Sequence, residues 1–236
     1  MAAAMARGLA GQVDGMLFTD GGSGRAAELA DELGGEAVSS NGELAERTDV
    51  VVLAVKPAKL GETAAQLTEA KVVVSLLGAT SLEVLREAFP GTEVVRVMPN
   101  VGVEVRQGVL CVAGEPDAGV RGMLEGLGHV VDLADSQFDV ATAVMGCAPA
   151  YLALAVEAIA DAGAANGLDA QLARELVVET AAGTAELLRS HHPADLRRAV
   201  ASPGGSTEAG LEALDREGAR EAFEAAVRAS LERMRG

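Results

Sequence analysis

From Val13 to about Asp132 short apolar runs alternate with amphipathic stretches; after Asp135 the alternation stops. Residues 15–20 precede a helical pattern over 25–33, and 49–55 lead into 59–67. Residues 71–75 precede 82–88, and 93–97 follow. Runs that are apolar throughout, rather than at every second position, suit strands buried on both faces. Strand and helix in turn at this spacing mean βαβ crossovers and a parallel sheet. Residues 109–113 and 129–132, around a helix near 116–127, extend that sheet. Everything from 135 onward reads as helix, broken at 167–169, 191–193 and 202–205, with its longest runs near 149–166 and 170–189. The pattern predicts an α/β parallel-sheet domain over 1–134 and an all-α domain over 135–236.

Tyr151, Leu154, Val156, Ile159 and the small residues 162–165 make the helix near 149–166 apolar almost all round. Such a helix needs burial, and about a hundred residues have limited room to bury it alone. The helical half is therefore expected to pack against a second copy, as a homodimer or higher oligomer.

Composition narrows the function classes. Of 236 residues 49% are hydrophobic and 2% aromatic, so the core is built from Ala, Val and Leu. Nineteen Lys and Arg against 35 Asp and Glu give a net charge of −16, which argues against a nucleic-acid partner, whose binding needs clustered cations. No basic face for an anionic membrane is visible, nor about 18 apolar residues in a row without charge, so no membrane partner is expected. Cys111 and Cys147 form no CxxC, and His129, His191 and His192 have no ligand spacing, so no metal site is expected and a reducing cytoplasm is the default. His191 and His192, before Pro193, read as a polar turn between helices. The chain opens at Met1 directly in a helix-like run with no signal-peptide pattern.

Parallel sheets bind ligands at the carboxyl ends of their strands, so the loops there carry the chemistry. The first, 19–25, holds Asp20, Ser23, Arg25 and three glycines. In a dinucleotide-binding sheet an acid there accepts from the 2′-hydroxyl of NAD, whereas Ser and Arg hold the 2′-phosphate of NADP. Ser23, Arg25 and the glycines favour NADP, with Asp20 turned away and NAD as the alternative. Ala54, Val55, Lys56 and Pro57 end the next strand, placing a cation near a pyrophosphate or ribose. Asn100 ends a further strand with an amide that both donates and accepts. The sharpest segment is Ser202-Pro-Gly-Gly-Ser-Thr207, in which Gly204, Gly205 and Ser206 open a helix whose free N–H groups suit a carboxylate substrate. Capping alone needs neither glycine, which points to a ligand.

Taken in order, residues 49–57, the run Val95-Arg-Val-Met-Pro-Asn100, Pro149-Ala-Tyr151 with 157–163, and 202–211 resemble the pyrroline-5-carboxylate reductase family over essentially the whole chain. The resemblance implies a Rossmann-type domain followed by a helical domain interlocked with its twin. It also implies a small carboxylate-bearing substrate, a cyclic imine, reduced at its C=N bond by NAD(P)H in proline biosynthesis. Asn41 and 54–57 would then border the cofactor, and Ser23 and Arg25 its 2′-phosphate. Leu76, Leu77, Gly78 and Asn100 would face the nicotinamide. Ser202, Gly204, Gly205, Ser206 and Thr207 would grip the carboxylate, the Thr207 hydroxyl serving the ring nitrogen.

The family's Ser-Gly-Ser-Gly before Pro-Ala-Tyr is Met145-Gly-Cys-Ala148 here, its Thr-Pro after Met-Pro-Asn is Val101-Gly102, and its Ala-Ala-Gly turn is Leu76-Leu-Gly-Ala79. These departures keep two alternatives open: a reductase of another cyclic imine or with a deazaflavin cofactor, and a catalytically impaired ligand-binding homologue. A 3-hydroxyacid dehydrogenase would want a lysine on the long helix, and 149–168 contain none. The family also opens with a strand and a Gly-x-Gly turn for the pyrophosphate. Residues 1–9 resemble only the helix after it, so a start upstream of Met1 is expected, with cofactor affinity impaired in the chain as written.

Overall fold

The computed structural model describes residues 1–235. The chain divides into two compact units, a first built on Met1–Cys147 and a second, Ala148–Arg233. In chain order the first unit contains α1 (Ala2–Leu9), β1 (Leu17–Phe18), α2 (Arg25–Leu33), β2 (Glu36–Ala37), α3 (Asn41–Arg47), β3 (Val50–Leu53) and α4 (Leu60–Ala64). There follow β4 (Val72–Ser75), α5 (Leu82–Ala88), β5 (Glu93–Pro99), β6 (Gly108–Ala113), α6 (Ala118–Glu125), β7 (Gly128–Asp132) and α7 (Phe138–Ala141), which runs on through a π turn, Thr142–Gly146.

The strands form two sheets among the described residues, β2-β1 and β3-β4-β5-β6-β7. The pairs β1–β2, β3–β4, β4–β5 and β6–β7 are parallel. The pair β5–β6 is antiparallel, unlike the fully parallel sheet expected, and the reason is length. Only residues 100–107 join them, fewer than the dozen or so a crossover requires. The sequence β2-β1, then β3-β4-β5, corresponds to places 3-2 and 4-5-6 of a doubly wound sheet. No described strand stands at place 1.

Two apolar layers cover the larger sheet, which explains strands without polar alternation. Val51, Val73, Val94 and Cys111 face one layer with Leu44, Leu85 and Phe138. Val74, Val95, Val97 and Leu110 face the other with Met5, Leu124 and Leu127. Successive side chains of a strand point to opposite faces, so burial of both faces favours apolar residues at successive positions, with Ser75 and Arg96 as buried exceptions. Helix α1 lies against the turn Val101–Val105 so closely that a Cβ on Gly8 would sit 2.1 Å from the Val103 carbonyl oxygen. Arg106 fixes the end of α1, its Nε donating to the Gly8 carbonyl at 2.9 Å and its Nη2 to that of Ala10 at 2.7 Å.

The second unit is helical: α8 (Ala148–Ala165), α9 (Ala170–Leu187), α10 (Pro193–Val200), α11 (Ser206–Arg216) and α12 (Ala219–Arg235). Asp169 caps α9 by accepting from the N–H groups of Gln171 and Leu172, and Gly163 on α8 faces Ala173 on α9. His192 caps α10 through its Nδ1. Tyr151 on α8 shares a 2.6 Å hydrogen bond with Ser230 on α12. The apolar surface is mostly uncovered: Leu152 is 65% exposed and Ile159 60%, while Ala160 and Ala173 are the buried residues of α8 and α9. By length and composition alone the helical stretch Asp135–Ala165 is long and apolar enough to cross a membrane.

Candidate active site

The parallel pairing of β3, β4 and β5 puts their carboxyl ends on one edge of the sheet. Leu53 pairs with Ser75, and the Leu76 N–H donates to the Leu53 carbonyl at 2.9 Å, so residues 54–57 and 76–78 leave the sheet side by side. Ala54, Lys56, Pro57 and Gly78 are exposed there and Val55 is half-buried. The Leu76 and Leu77 side chains point into the apolar layers, so the first two residues expected at the nicotinamide offer only backbone. That turn is closely held: the Ser75 hydroxyl accepts from the Leu77 N–H, Thr80 donates to the Gly78 carbonyl, and Ala79 has a φ of 52°.

The loop after β1 differs from the expectation in one respect. Asp20 does not turn away. Its Oδ1 accepts from the N–H groups of Gly22 (2.6 Å) and Ser23 (3.0 Å), and its Oδ2 from the Ser23 hydroxyl and the Ala26 N–H, both at 2.9 Å. Positive φ values at Gly22 and Gly24 turn these donors inward, and the carboxylate fills the start of α2. The Ala26 N–H and then the Ser23 hydroxyl hold its pKa down to about 2. Ser23 is engaged, and the exposed Arg25 on the first turn of α2 is the loop's cation. Asn41, beyond β2, begins α3 behind its cap Ser40 and donates through Nδ2 to Gln66 Oε1 at 2.7 Å.

Asn100 is also engaged. Its Oδ1 accepts from the N–H groups of Gly102 and Val109, and its Nδ2 donates to the Met145 carbonyl at 3.3 Å within the π turn. The amide thus closes the β5–β6 connection and ties it to the divergent segment 145–148. Four residues earlier on the same strand face, the 4% exposed Arg96 sends Nη1 to Asp135 Oδ1 at 2.7 Å. Its guanidinium carbon lies 4.4 Å from the centre of the Phe138 ring. Asp135 Oδ2 accepts from the Leu82 N–H at the start of α5. Reading by motif missed this pair; the available signal was a charge inside the apolar run 93–97, which burial obliges to find a partner.

The second unit holds the remaining candidates. Ser202, Gly204, Gly205, Ser206 and Thr207 form one turn into α11, and the Gly205 N–H donates to the Ser202 carbonyl at 2.9 Å. The turn itself explains both glycines, against the expectation that only a ligand would. Gly204 has a φ of 74°, and a Cβ on Gly205 would fall 2.7 Å from Ser202 Oγ. No side chain caps α11, so its first N–H groups and the exposed Ser206 and Thr207 hydroxyls open together at the positive end of the helix. Glu208, not singled out from sequence, accepts from the Gly204 N–H at 2.6 Å and places its own charge in that turn.

Residues 135–236 match the family profile described as pyrroline-5-carboxylate reductase dimerisation, and residues 1–78 match NADP oxidoreductase coenzyme F420-dependent. The chain is 38% identical to the pyrroline-5-carboxylate reductase of Synechocystis sp. over 82% of its own length and 76% of that protein's. The crystal structure of the Streptococcus pyogenes 1-pyrroline-5-carboxylate reductase superposes with a TM-score of 0.89 at 29% identity, covering 99% of this chain and 94% of that one. The Plasmodium falciparum pyrroline carboxylate reductase, solved with NADP bound, gives 0.85 at 27%, covering 98% and 92%.

Proposed function

The chain belongs to the pyrroline-5-carboxylate reductase family, and from that membership we propose which of its residues carry the reaction. The reaction is the reduction of the C=N bond of 1-pyrroline-5-carboxylate to proline, with NADPH as the hydride source. A protonated cyclic imine accepts hydride readily, so the protein's task is to orient the ring and exclude unproductive poses.

Orientation falls to the Ser202–Thr207 turn, and its uncapped helix start carries this reading. A substrate carboxylate takes the N–H groups of Ser206 and Thr207 together with their hydroxyls. The Thr207 hydroxyl hydrogen-bonds the ring nitrogen, accepting from the iminium N–H and then donating to the lone pair of the amine that forms as hydride arrives at the adjacent carbon. On the cofactor side the residues fit a dinucleotide. Exposed Lys56 and Arg25 offer positive charge to its phosphates, Asn41 and 54–57 line its path, and the backbone of Leu76, Leu77 and Gly78 borders the nicotinamide. Since Asp20 already fills the loop after β1, the 2′-phosphate relies on Arg25 more than on Ser23. Asn100 supports this edge from behind.

The protein works as a homodimer or higher oligomer in the cytoplasm. The dimerisation-family match over 135–236 and the exposed Leu152, Leu154 and Ile159 support self-association, and the free cysteines suit a reducing compartment. A second copy, rather than lipid, covers the apolar surface of α8. The test is NADPH oxidation by the purified full chain with 1-pyrroline-5-carboxylate. Thr207→Ala should lower kcat by roughly a hundredfold with an unchanged melting temperature. No turnover by the parent chain refutes the activity, and equal loss of folding and turnover refutes the role of Thr207.

A further inference from the structure

The reaction gives Arg96 and Asp135 no direct part, yet a buried guanidinium met by a half-buried carboxylate is costly to maintain. Its geometry links three segments. Arg96 stands on β5 four residues before Asn100, so both side chains leave the same face of the strand. Arg96 grips Asp135 and covers the Phe138 ring, while Asn100 holds the Met145 carbonyl, so one strand face fastens the stretch 135–145 at two points. The second oxygen of Asp135 reaches back to the Leu82 N–H, the far end of the turn that begins at Leu76. That turn is anchored at its near end by Ser75 and carries its strain at Ala79. Among the described residues the Arg96 Nε is the one buried side-chain polar atom without a partner, so the guanidinium is directed by Asp135 and the aromatic ring instead of being satisfied all round.

We propose that Arg96 and Asp135 are a positioning pair for the reaction: through the Leu82 N–H they set where Gly78 stands, and through 135–145 they set Asn100, on the edge that faces the nicotinamide. This rests on the reductase reading above. Neither residue touches substrate or cofactor. Their effect is on attack geometry, where displacement of about 1 Å costs on the order of a hundredfold in rate.

A purely structural ion pair predicts something different, and the two are separable. Breaking the pair with Arg96→Met leaves the half-buried Asp135 carboxylate without its cation and should lower the melting temperature by roughly 5 °C. Replacing both partners, Arg96→Met with Asp135→Leu, removes the unpaired carboxylate as well and should recover most of that stability. The Leu82 N–H then still lacks its acceptor. In the purified full-length double variant we expect kcat/KM for NADPH to stay at least about tenfold below the parent, with faster hydrogen exchange at the amides of 78–82 but not of 73–75. Recovery of melting temperature, kcat/KM and exchange together would overturn the proposal. If the double variant does not regain stability, Asp135→Asn decides, since it keeps an oxygen for the Leu82 N–H. Near-parental exchange at 78–82 in that variant supports the tether, and exchange as fast as in the double variant overturns it. Exchange needs no turnover. An inactive parent whose 78–82 amides lose protection in the double variant would sink the reductase reading while sustaining the tether.

Discussion

The two units of this chain solve the burial problem in opposite ways. The first wraps its larger sheet in two apolar layers and closes most positions of β4, β5 and β6, down to Val73, Val95 and Leu110 at 0% exposure. The second holds helices as long as any in the chain, yet its apolar side chains are largely open and Ala160 and Ala173 are its buried residues. Stability in the first unit is thus intramolecular. On the proposed self-association, stability in the second would depend on concentration, because apolar area left open by one copy contributes only once another copy covers it.

The contrast can be broken most directly on α8. Leu152→Asp with Ile159→Asp, seven residues apart on one helix face, should raise the dimer dissociation constant by a thousandfold or more, about 4 kcal/mol. Leu124→Ala in the first unit should instead cost about 2–5 kcal/mol of unfolding free energy and leave assembly unchanged. Sedimentation and denaturant unfolding on both variants measure the two quantities, and the contrast fails if α8 carries the unfolding loss while Leu124 carries the assembly loss. A smaller effect sharpens the picture within the first unit. Arg25→Ala should raise KM for NADPH roughly tenfold, the order expected for one charge-assisted hydrogen bond, with KM for NADH unmoved. An equal rise for both would remove Arg25 from the 2′-phosphate.

The smallest expected change concerns Asp20. Its carboxyl titrates lower in the folded loop, at about 2, than at its ordinary value of 3.8. Its contribution to stability is therefore complete above about pH 4 and disappears as pH falls toward 2. The stability difference between the parent and Asp20→Asn should be constant from pH 7 to 5 and shrink below pH 4. A difference that grows on acidification would contradict the hydrogen-bonded loop.

Much of the first unit was legible because strands buried on both faces lose polar alternation, as 72–75 and 93–97 show. Helices with sharp caps, such as α2 and α5, fell where their amphipathic pattern begins. The two-residue β2 and the short α3 escaped, being too brief for periodicity to register. Their one clear signal was local: Ser40 and Glu43 at capping-box spacing, with the Ser40 hydroxyl accepting from the Glu43 N–H. The reversal at β6 follows from connection length, which composition does not reveal. Among candidate site residues, position at strand ends singled out Asn100 and the loop of Ser23 and Arg25, and the run of Pro and glycines singled out the 202–207 turn. Which donors each one meets depends on glycine dihedrals and strand register, neither of which is visible in a list of residues. So Asp20 emerged as a filler of its own loop and Asn100 as a brace.

β1 pairs only with β2, and β3 only with β4, among the described residues, so each offers one border of amide and carbonyl groups to a further strand. In a doubly wound sheet place 1 lies between those two borders, so a strand set there would be zipped on both sides at once.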